Sequence, residues 1–484
     1  MANFLTLTPV SVRIALLLVI PLLVGCNRPP VGEAKPFPDG FAWGAGSASY
    51  EKDHLSAAEA ALLQAIGLTH YRLSLDWNRI MPGGTGPVDQ AGLDHYAAIL
   101  DNLHAVGIEP VIALHHWKLP DALEERGGWD NRESVDWFAA YASLAFDEFG
   151  DRGSLWITMA DPYMDGFLNR PAEELLEAAE AAPATPDNAA ALSRAPPFVQ
   201  ARRAARAVNP LQTSGAELAH RAARTHNMLL AHARAVENYR ARAFGGQIGI
   251  TIRLSPVYPV GNGDADLALA ELEDGIRNRW YLDPLLRGSY PEDVLALYLD
   301  ERDLGIQEGD LDYIAGQGTD FVGVDYFAPT RVEIDTLSNH FGYRLLPNRD
   351  GDKSFFGEAY ADGILDVLTR LTEDYDNPAV YVTANGAGYG RIDELNDNSR
   401  IRDELRVRFM RRHFVQAQKA AAQGADLRGF FVWSAFDGPN WAGDLDEPTG
   451  LIHVDFETGE MLFKDSARYY RSIVAQNAVS RMPF

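Results

Sequence analysis

The chain has 484 residues, 46% of them hydrophobic and 23% charged, a balance that supports a large buried core and excludes a disordered chain. Against 68 Asp and Glu stand 43 Lys and Arg, and the formal charge of −25 at pH 7 excludes nucleic acid as the expected partner, because such a surface repels phosphates. The single cysteine, Cys26, rules out an internal disulfide.

In chain order, residues 1–25 come first. A short segment with one positive side chain, Arg13, precedes an apolar run from Ile14 to Leu23 interrupted only by Pro21. That run is too short to span a bilayer and reads as the core of a signal peptide. It ends in Leu23-Val24-Gly25-Cys26, which resembles a bacterial lipobox. The resemblance implies cleavage before Cys26 and acylation of its thiol and new amine, so that the chain is held to a membrane of the bacterial envelope by lipid. An uncleaved anchor helix is the alternative, and it leaves the position of the only cysteine unexplained. Asn27 rather than an aspartate follows, which points to the outer membrane. Residues 26–36, with Pro29, Pro30 and Pro36, read as a lipidated tether.

From Phe37 to Phe484 short apolar runs alternate with helical patterns. The runs are Phe41–Ala45, His70–Leu75, Glu109–His115, Leu155–Ala160, Gln247–Leu254, Asp320–Phe327, Ala379–Ala384 and Gly429–Phe436. Several are apolar almost throughout, as strands buried on both faces are. Helical spacing marks Ser56–Ile66, Ala91–Val106, Ser134–Phe149 and Leu218–Ala241. Eight such units predict an α/β fold, a single-domain (β/α)8 TIM barrel. A doubly wound open sheet is disfavoured because no glycine-rich phosphate loop follows the first strand. The stretch at about 170–215, rich in Ala, Glu, Pro and Arg, breaks the alternation and reads as an insertion on the barrel rim.

Specific motifs sharpen this reading. Phe37-Pro38-Asp39-Gly40-Phe41-Ala42-Trp43-Gly44-Ala45 is followed by Ser47-Ala48-Ser49-Tyr50, then by Tyr71-Arg72-Leu73-Ser74 with Trp77-Asn78-Arg79-Ile80. His115-His116-Trp117-Lys118-Leu119-Pro120, Asn278-Arg279-Trp280-Tyr281-Leu282-Asp283-Pro284 and Phe431-Val432-Trp433-Ser434 complete the series. In this order they resemble the β-glycosidases of glycoside hydrolase family one over nearly all of residues 37–475. The resemblance implies a carbohydrate or glycoside ligand and no cofactor.

It also implies two facing carboxylates. In a retaining site they stand about 5 to 5.5 Å apart, one an acid/base at the end of strand four, the other a nucleophile at the end of strand seven. The family's Asn-Glu-Pro is matched here by Ala160-Asp161-Pro162, and its Thr-Glu-Asn-Gly by Thr383-Ala384-Asn385-Gly386. Asp161 therefore stands at the acid/base position with a shorter side chain, and Ala384 stands at the nucleophile position with none. By the same matching Glu51 replaces a glutamine, Asp325 an asparagine, Phe327 a tyrosine and Asn440 a sugar-gripping glutamate. His116, Trp117, Trp433 and Trp441 keep the stacking walls of the pocket, and Arg72 keeps its place beneath the nucleophile position. Arg72 either meets a ligand or neutralises an interior acid such as Glu51 or Asp325. His115 and His116 show no helical ligand spacing, so no metal is expected.

Two functions of different classes follow. The first is a glycosidase-like barrel that binds a carbohydrate, glycoside or protein partner without ordinary retaining hydrolysis. The second is an enzyme with rewired acid/base chemistry, inverting or non-hydrolytic, drawing on Glu51, Asp161 and Asp325. An ordinary β-glucosidase is disfavoured by Ala384. Should the three acids share one cavity, repulsion and desolvation raise at least one of their pKa values, unless Arg72 neutralises one.

Overall fold

Eight apolar runs become eight parallel strands that pair in sequence order and close on themselves. We number them β1 (Ala42–Gly46), β2 (His70–Ser74), β3 (Glu109–His115), β4 (Leu155–Ala160), β5 (Gln247–Arg253), β6 (Phe321–Asp325), β7 (Val380–Asn385) and β8 (Leu427–Trp433). The computed structural model describes residues 36–48, 52–164, 215–334, 343–346, 353–390, 394–395, 401–439, 445 and 447–479. The leader at 1–25, Cys26 and the tether up to residue 35, and the 170–215 stretch apart from Gly215 lie outside these residues.

Both faces of the strands are covered, which is why their runs are apolar throughout rather than alternating. Inside the barrel Ala42, Val111, Ala113, Ile157, Ala160, Phe321, Tyr381 and Phe431 pack together. Large rings alternate with small residues in this space, as a filled barrel requires. A Cβ on Gly44 would lie 2.2 Å from the Phe431 ring, so β1 carries glycine there. The outer faces pack against helices in a second, larger core that includes the fully buried Trp77, Trp129, Trp156 and Trp280.

The helices match their sequence patterns closely: Ala57–Ile66, Gln90–Ala105, Ser134–Phe149 and Gly215–Arg240. Ser56 and Glu59 form a reciprocal capping box that fixes the first of these, with the Ser56 amide donating to Glu59 at 2.7 Å. The sequence does not reveal a five-residue π-helical turn, Gly275–Arg279, ahead of the helix Trp280–Leu286. It widens the chain within the Asn278-Arg279-Trp280 motif. Such turns recur at functional sites.

Closure joins the two ends of the chain. β1 pairs with β8 from Ala42↔Gly429 to Gly46↔Trp433. The Tyr470 hydroxyl, on the last helix Asp465–Gln476, donates to the carbonyls of Gly44 at 2.7 Å and Phe430 at 3.0 Å, clamping that seam from outside. The Phe37 amide donates to the Asn477 carbonyl at 2.8 Å. Among the described residues no helix is long and apolar enough to cross a membrane.

Candidate active site

The C-terminal strand ends gather the expected side chains at one level of the barrel. Arg253 of β5 is in register with Asp325 of β6, which is in register with Ala384 of β7. On the opposite seam Gly46 of β1 stands beside both Arg72 of β2 and Trp433 of β8. In a TIM barrel this end carries the chemistry.

Asp161 follows β4 and is fully buried. Its φ of +56° places a non-glycine residue in the left-handed region, held by its amide donating to the Thr251 carbonyl at 2.9 Å and its carbonyl accepting from Trp117 Nε1 at 3.1 Å. Strain of this kind persists only where the surroundings over-determine it. Its Oδ2 accepts from Arg253 Nε at 2.7 Å and its Oδ1 from the Met164 amide at 3.2 Å. Burial pushes the Asp161 carboxyl up, the Arg253 guanidinium pulls it down and the Asp325 charge pushes it up again; the balance is a raised pKa. A raised carboxyl can hold a proton, but here one oxygen already faces a cation.

Arg72 meets one of the interior acids, Asp325. Arg72 is wholly buried, and its Nη1 donates to Asp325 Oδ1 and to the Thr383 carbonyl, both at 3.0 Å. Asp325 Oδ1 also accepts from Thr383 Oγ1 at 2.7 Å. The other polar atoms of Arg72, Nε and Nη2, are buried without a hydrogen-bond partner among the described residues. Its guanidinium carbon lies 5.2 Å from the Trp433 ring, and that ring packs with Ala48, Phe327 and Ala384. Ala384 is 1% exposed and offers only a methyl group. Beside it, a Cβ on Gly386 would approach the Trp433 carbonyl to 1.7 Å, so glycine is what lets β7 and β8 meet at the mouth.

His116 is buried with its ring edge-on to Trp117 at 4.5 Å and to Trp433 at 6.0 Å, and its Nδ1 lies 3.1 Å from Ser74 Oγ. The three rings form one aromatic wall. His115, one residue earlier, packs outward on Trp129 and Phe138. Glu51, Asn440 and Trp441 lie outside the described residues.

Asp437, which follows β8, belongs to a buried ion cluster: its Oδ1 accepts from Lys464 Nζ at 2.8 Å and the Gly450 amide at 2.9 Å, and Oδ2 lies 3.2 Å from His453 Nδ1. Burial raises its pKa, but the Lys464 ammonium and the His453 contact outweigh this and hold the carboxyl below its usual range. Arg253 was not singled out by sequence, although the signal existed: it is a charge closing an otherwise apolar strand at the barrel's functional end. Among the described residues no group of His, Cys, Asp or Glu is arranged to hold a metal ion.

A closed parallel barrel with an aromatic wall and buried carboxylates at its mouth is the architecture of a glycoside-handling barrel. The chain belongs to glycosyl hydrolase family 1, whose sequence model matches residues 51–170 and 207–479. It is 32% identical to beta-glucosidase A of Thermotoga maritima over 92% of this chain and 99% of that protein. It is 31% identical to beta-glucosidase A of Acetivibrio thermocellus over 89% and 88%. The solved Thermotoga maritima beta-glucosidase in complex with deoxynojirimycin superposes with a TM-score of 0.78 at 30% identity, covering 92% of this chain and all of that one. The family match omits residues 171–206, which fall within the stretch expected to be inserted.

Proposed function

We propose that the barrel mouth binds a carbohydrate or glycoside and does not carry out ordinary retaining hydrolysis. The carrying observation is Ala384, a buried methyl at the strand end where the family resemblance puts the nucleophile. No covalent glycosyl-enzyme can form on it. Asp161 supports the same reading, since both of its carboxylate oxygens already accept hydrogen bonds, one from Arg253 and one from the Met164 amide. The aromatic wall of His116, Trp117 and Trp433 supplies the apolar faces on which sugar rings stack. The relatives named as β-glucosidases support the glycoside as ligand class.

The test pairs turnover with binding. Aryl β-glucosides and β-galactosides are expected to bind saturably in calorimetry yet show no turnover in the ordinary range of about 1–10³ s⁻¹. Ordinary turnover with net retention would mean that another residue serves as nucleophile and would overturn the proposal. The rewired-enzyme reading is kept as a second one, because burial raises the Asp161 carboxyl, the direction that general-acid work in an inverting step requires. Slow hydrolysis with net inversion, abolished by Asp161→Asn, would favour it over pure binding.

The lipobox reading places the chain on the bacterial envelope through an acylated Cys26, with the outer membrane as its site. Labelled palmitate is expected to be incorporated by the full chain and not by Cys26→Ser; unchanged processing and fractionation of that variant would refute the anchor.

A further inference from the structure

Beside the mouth lies a cleft of about 210 Å³ lined by Tyr163, Arg253, Ser255, Arg277, Phe327 and Phe356, among others. None of the described residues lining it is acidic, whereas two are arginines. Each arginine is paired with an acid that stands outside this lining, Arg253 with Asp161 and Arg277 with Glu273.

The way Arg253 is held gives the cleft its chemistry. Nε donates backward to buried Asp161 at 2.7 Å, and the side chain as a whole is 24% exposed. Fixing Nε restrains the planar fork of a side chain that lines the cleft. The guanidinium carbon stands 5.0 Å from the Phe327 ring, which stacks on Phe356 with centroids 4.2 Å apart. Arg277 is brought to the other side by the widened turn Gly275–Arg279, where its Nε is paired with Glu273 and its guanidinium carbon lies 5.3 Å from the Tyr163 ring. Asn278 of the same turn locks the cleft floor: its Oδ1 accepts from the Ser255 amide at 3.0 Å and its Nδ2 donates to the Ser255 carbonyl at 2.9 Å. The lining therefore combines a guanidinium anchored through Nε, a second arginine held by Glu273, and the stacked rings of Phe327 and Phe356.

A guanidinium fork matches a carboxylate in plane and in spacing, and stacked rings match the face of a six-membered ring. An apolar cavity of about 150 Å³ already accepts a benzene ring, so the space suits one ring and its substituent. We propose that this cleft is a second subsite that takes a ring-borne carboxylate, so that the preferred ligands are glycosides whose non-glycone part is an acid. The proposal builds on the glycoside-binding reading and names its ligand class. The carboxylate can be carried by an aromatic acid or by a uronic acid, and the ligands below separate these sources.

Calorimetry on the full chain decides the matter with four probes: phenyl β-glucoside, 4-carboxyphenyl β-glucoside, cellobiose, and β-glucosyl-(1→4)-glucuronic acid. At least one acidic probe is expected to bind about tenfold or more tightly than its neutral counterpart, with an advantage that shrinks as salt is raised. Arg277→Met should erode that advantage while leaving affinity for the neutral glucoside within about twofold, and Arg253→Lys, which keeps charge without the fork, should erode the advantage as well. An advantage confined to the aryl pair assigns the carboxylate to an aromatic acid, and one confined to the disaccharides assigns it to a uronate. Equal affinity for acidic and neutral probes would overturn the subsite and leave glycoside binding standing. Failure of all four to bind would remove the glycoside reading itself. An acidic advantage that survives both arginine variants would place the carboxylate elsewhere and overturn the assignment.

Discussion

Replacing Arg72 by methionine is expected to cost the folded chain about 3–5 kcal/mol, the usual loss when one partner of a buried ion pair is removed. Arg72 is 0% and Asp325 4% exposed, and their 3.0 Å contact is the only ion pair through which the Asp325 charge is met among the described residues. Without the guanidinium, Asp325 keeps only the Thr383 hydroxyl, a neutral donor. Methionine retains bulk, so little of the loss comes from a cavity. The double variant Arg72→Met with Asp325→Asn should recover most of it, because no buried charge is then left alone. Urea unfolding at constant m-value measures both. A loss under about 1 kcal/mol in the single variant, or a double variant no better than the single, would show that the pair is not what holds this interior together.

The second large effect is acid lability set by two buried histidines. His232 is held down to about 3 by burial, with the Arg240 charge adding to it, and His413 to about 4, chiefly by burial. His232 meets Thr158 Oγ1 through Nδ1 at 2.7 Å, and His413 meets the Phe409 carbonyl at 2.8 Å; the second ring nitrogen of each is buried without a hydrogen-bond partner among the described residues. Neither ring has a place for a second proton in the folded state. Unfolded, both titrate near 6.5. The stability they contribute is therefore complete above about pH 6.5 and falls as pH drops toward the folded values, by about 1.4 kcal/mol per unit for each ring. Between pH 6.5 and 4.5 the pair should remove about 5 kcal/mol. Asp161, whose carboxyl is raised, acts in the opposite sense, since the folded state takes up its proton first on acidification. Unfolding free energies from pH 7.5 to 4.5, for the native chain and for His232→Gln and His413→Gln, check this. Each variant should flatten the profile by roughly one proton's slope, and a native profile already flat over that range would contradict the account.

Much of the fold was legible because a parallel strand buried on both faces is a continuous apolar run, and eight such runs stand at helical spacing. The strand limits differ from the apolar runs by a few residues at most, as where the run Asp320–Phe327 contains the strand Phe321–Asp325. The widened turn at Gly275–Arg279 was not legible, since a π turn carries no periodic signature in five residues. The strand-end positions of Asp161, Ala384 and Asp325 were legible only because ordered motifs fixed where each falls. What those side chains do once there was not. Whether Arg72 met an acid or a ligand depended on a contact between residues far apart in sequence, and Arg253 acquired its meaning only from Asp161, on the neighbouring strand. Asp437 shows the converse: an acid close to the mouth in sequence is claimed by Lys464, on a later element.

The seam between β1 and β8 has a consequence for how the molecule is made. A closed barrel has no edges, but this one acquires closure only when its final strand and the Tyr470 clamp exist. During synthesis β1 emerges early and waits while almost the whole chain follows, tens of seconds at about 5–20 residues per second. Throughout that interval one flank of β1 presents unpaired amides and carbonyls, a template for pairing with any other strand nearby. Until β8 is in place the chain is thus most vulnerable to wrong partners, and Tyr470, remote from any chemistry at the mouth, helps determine whether β1 is safe.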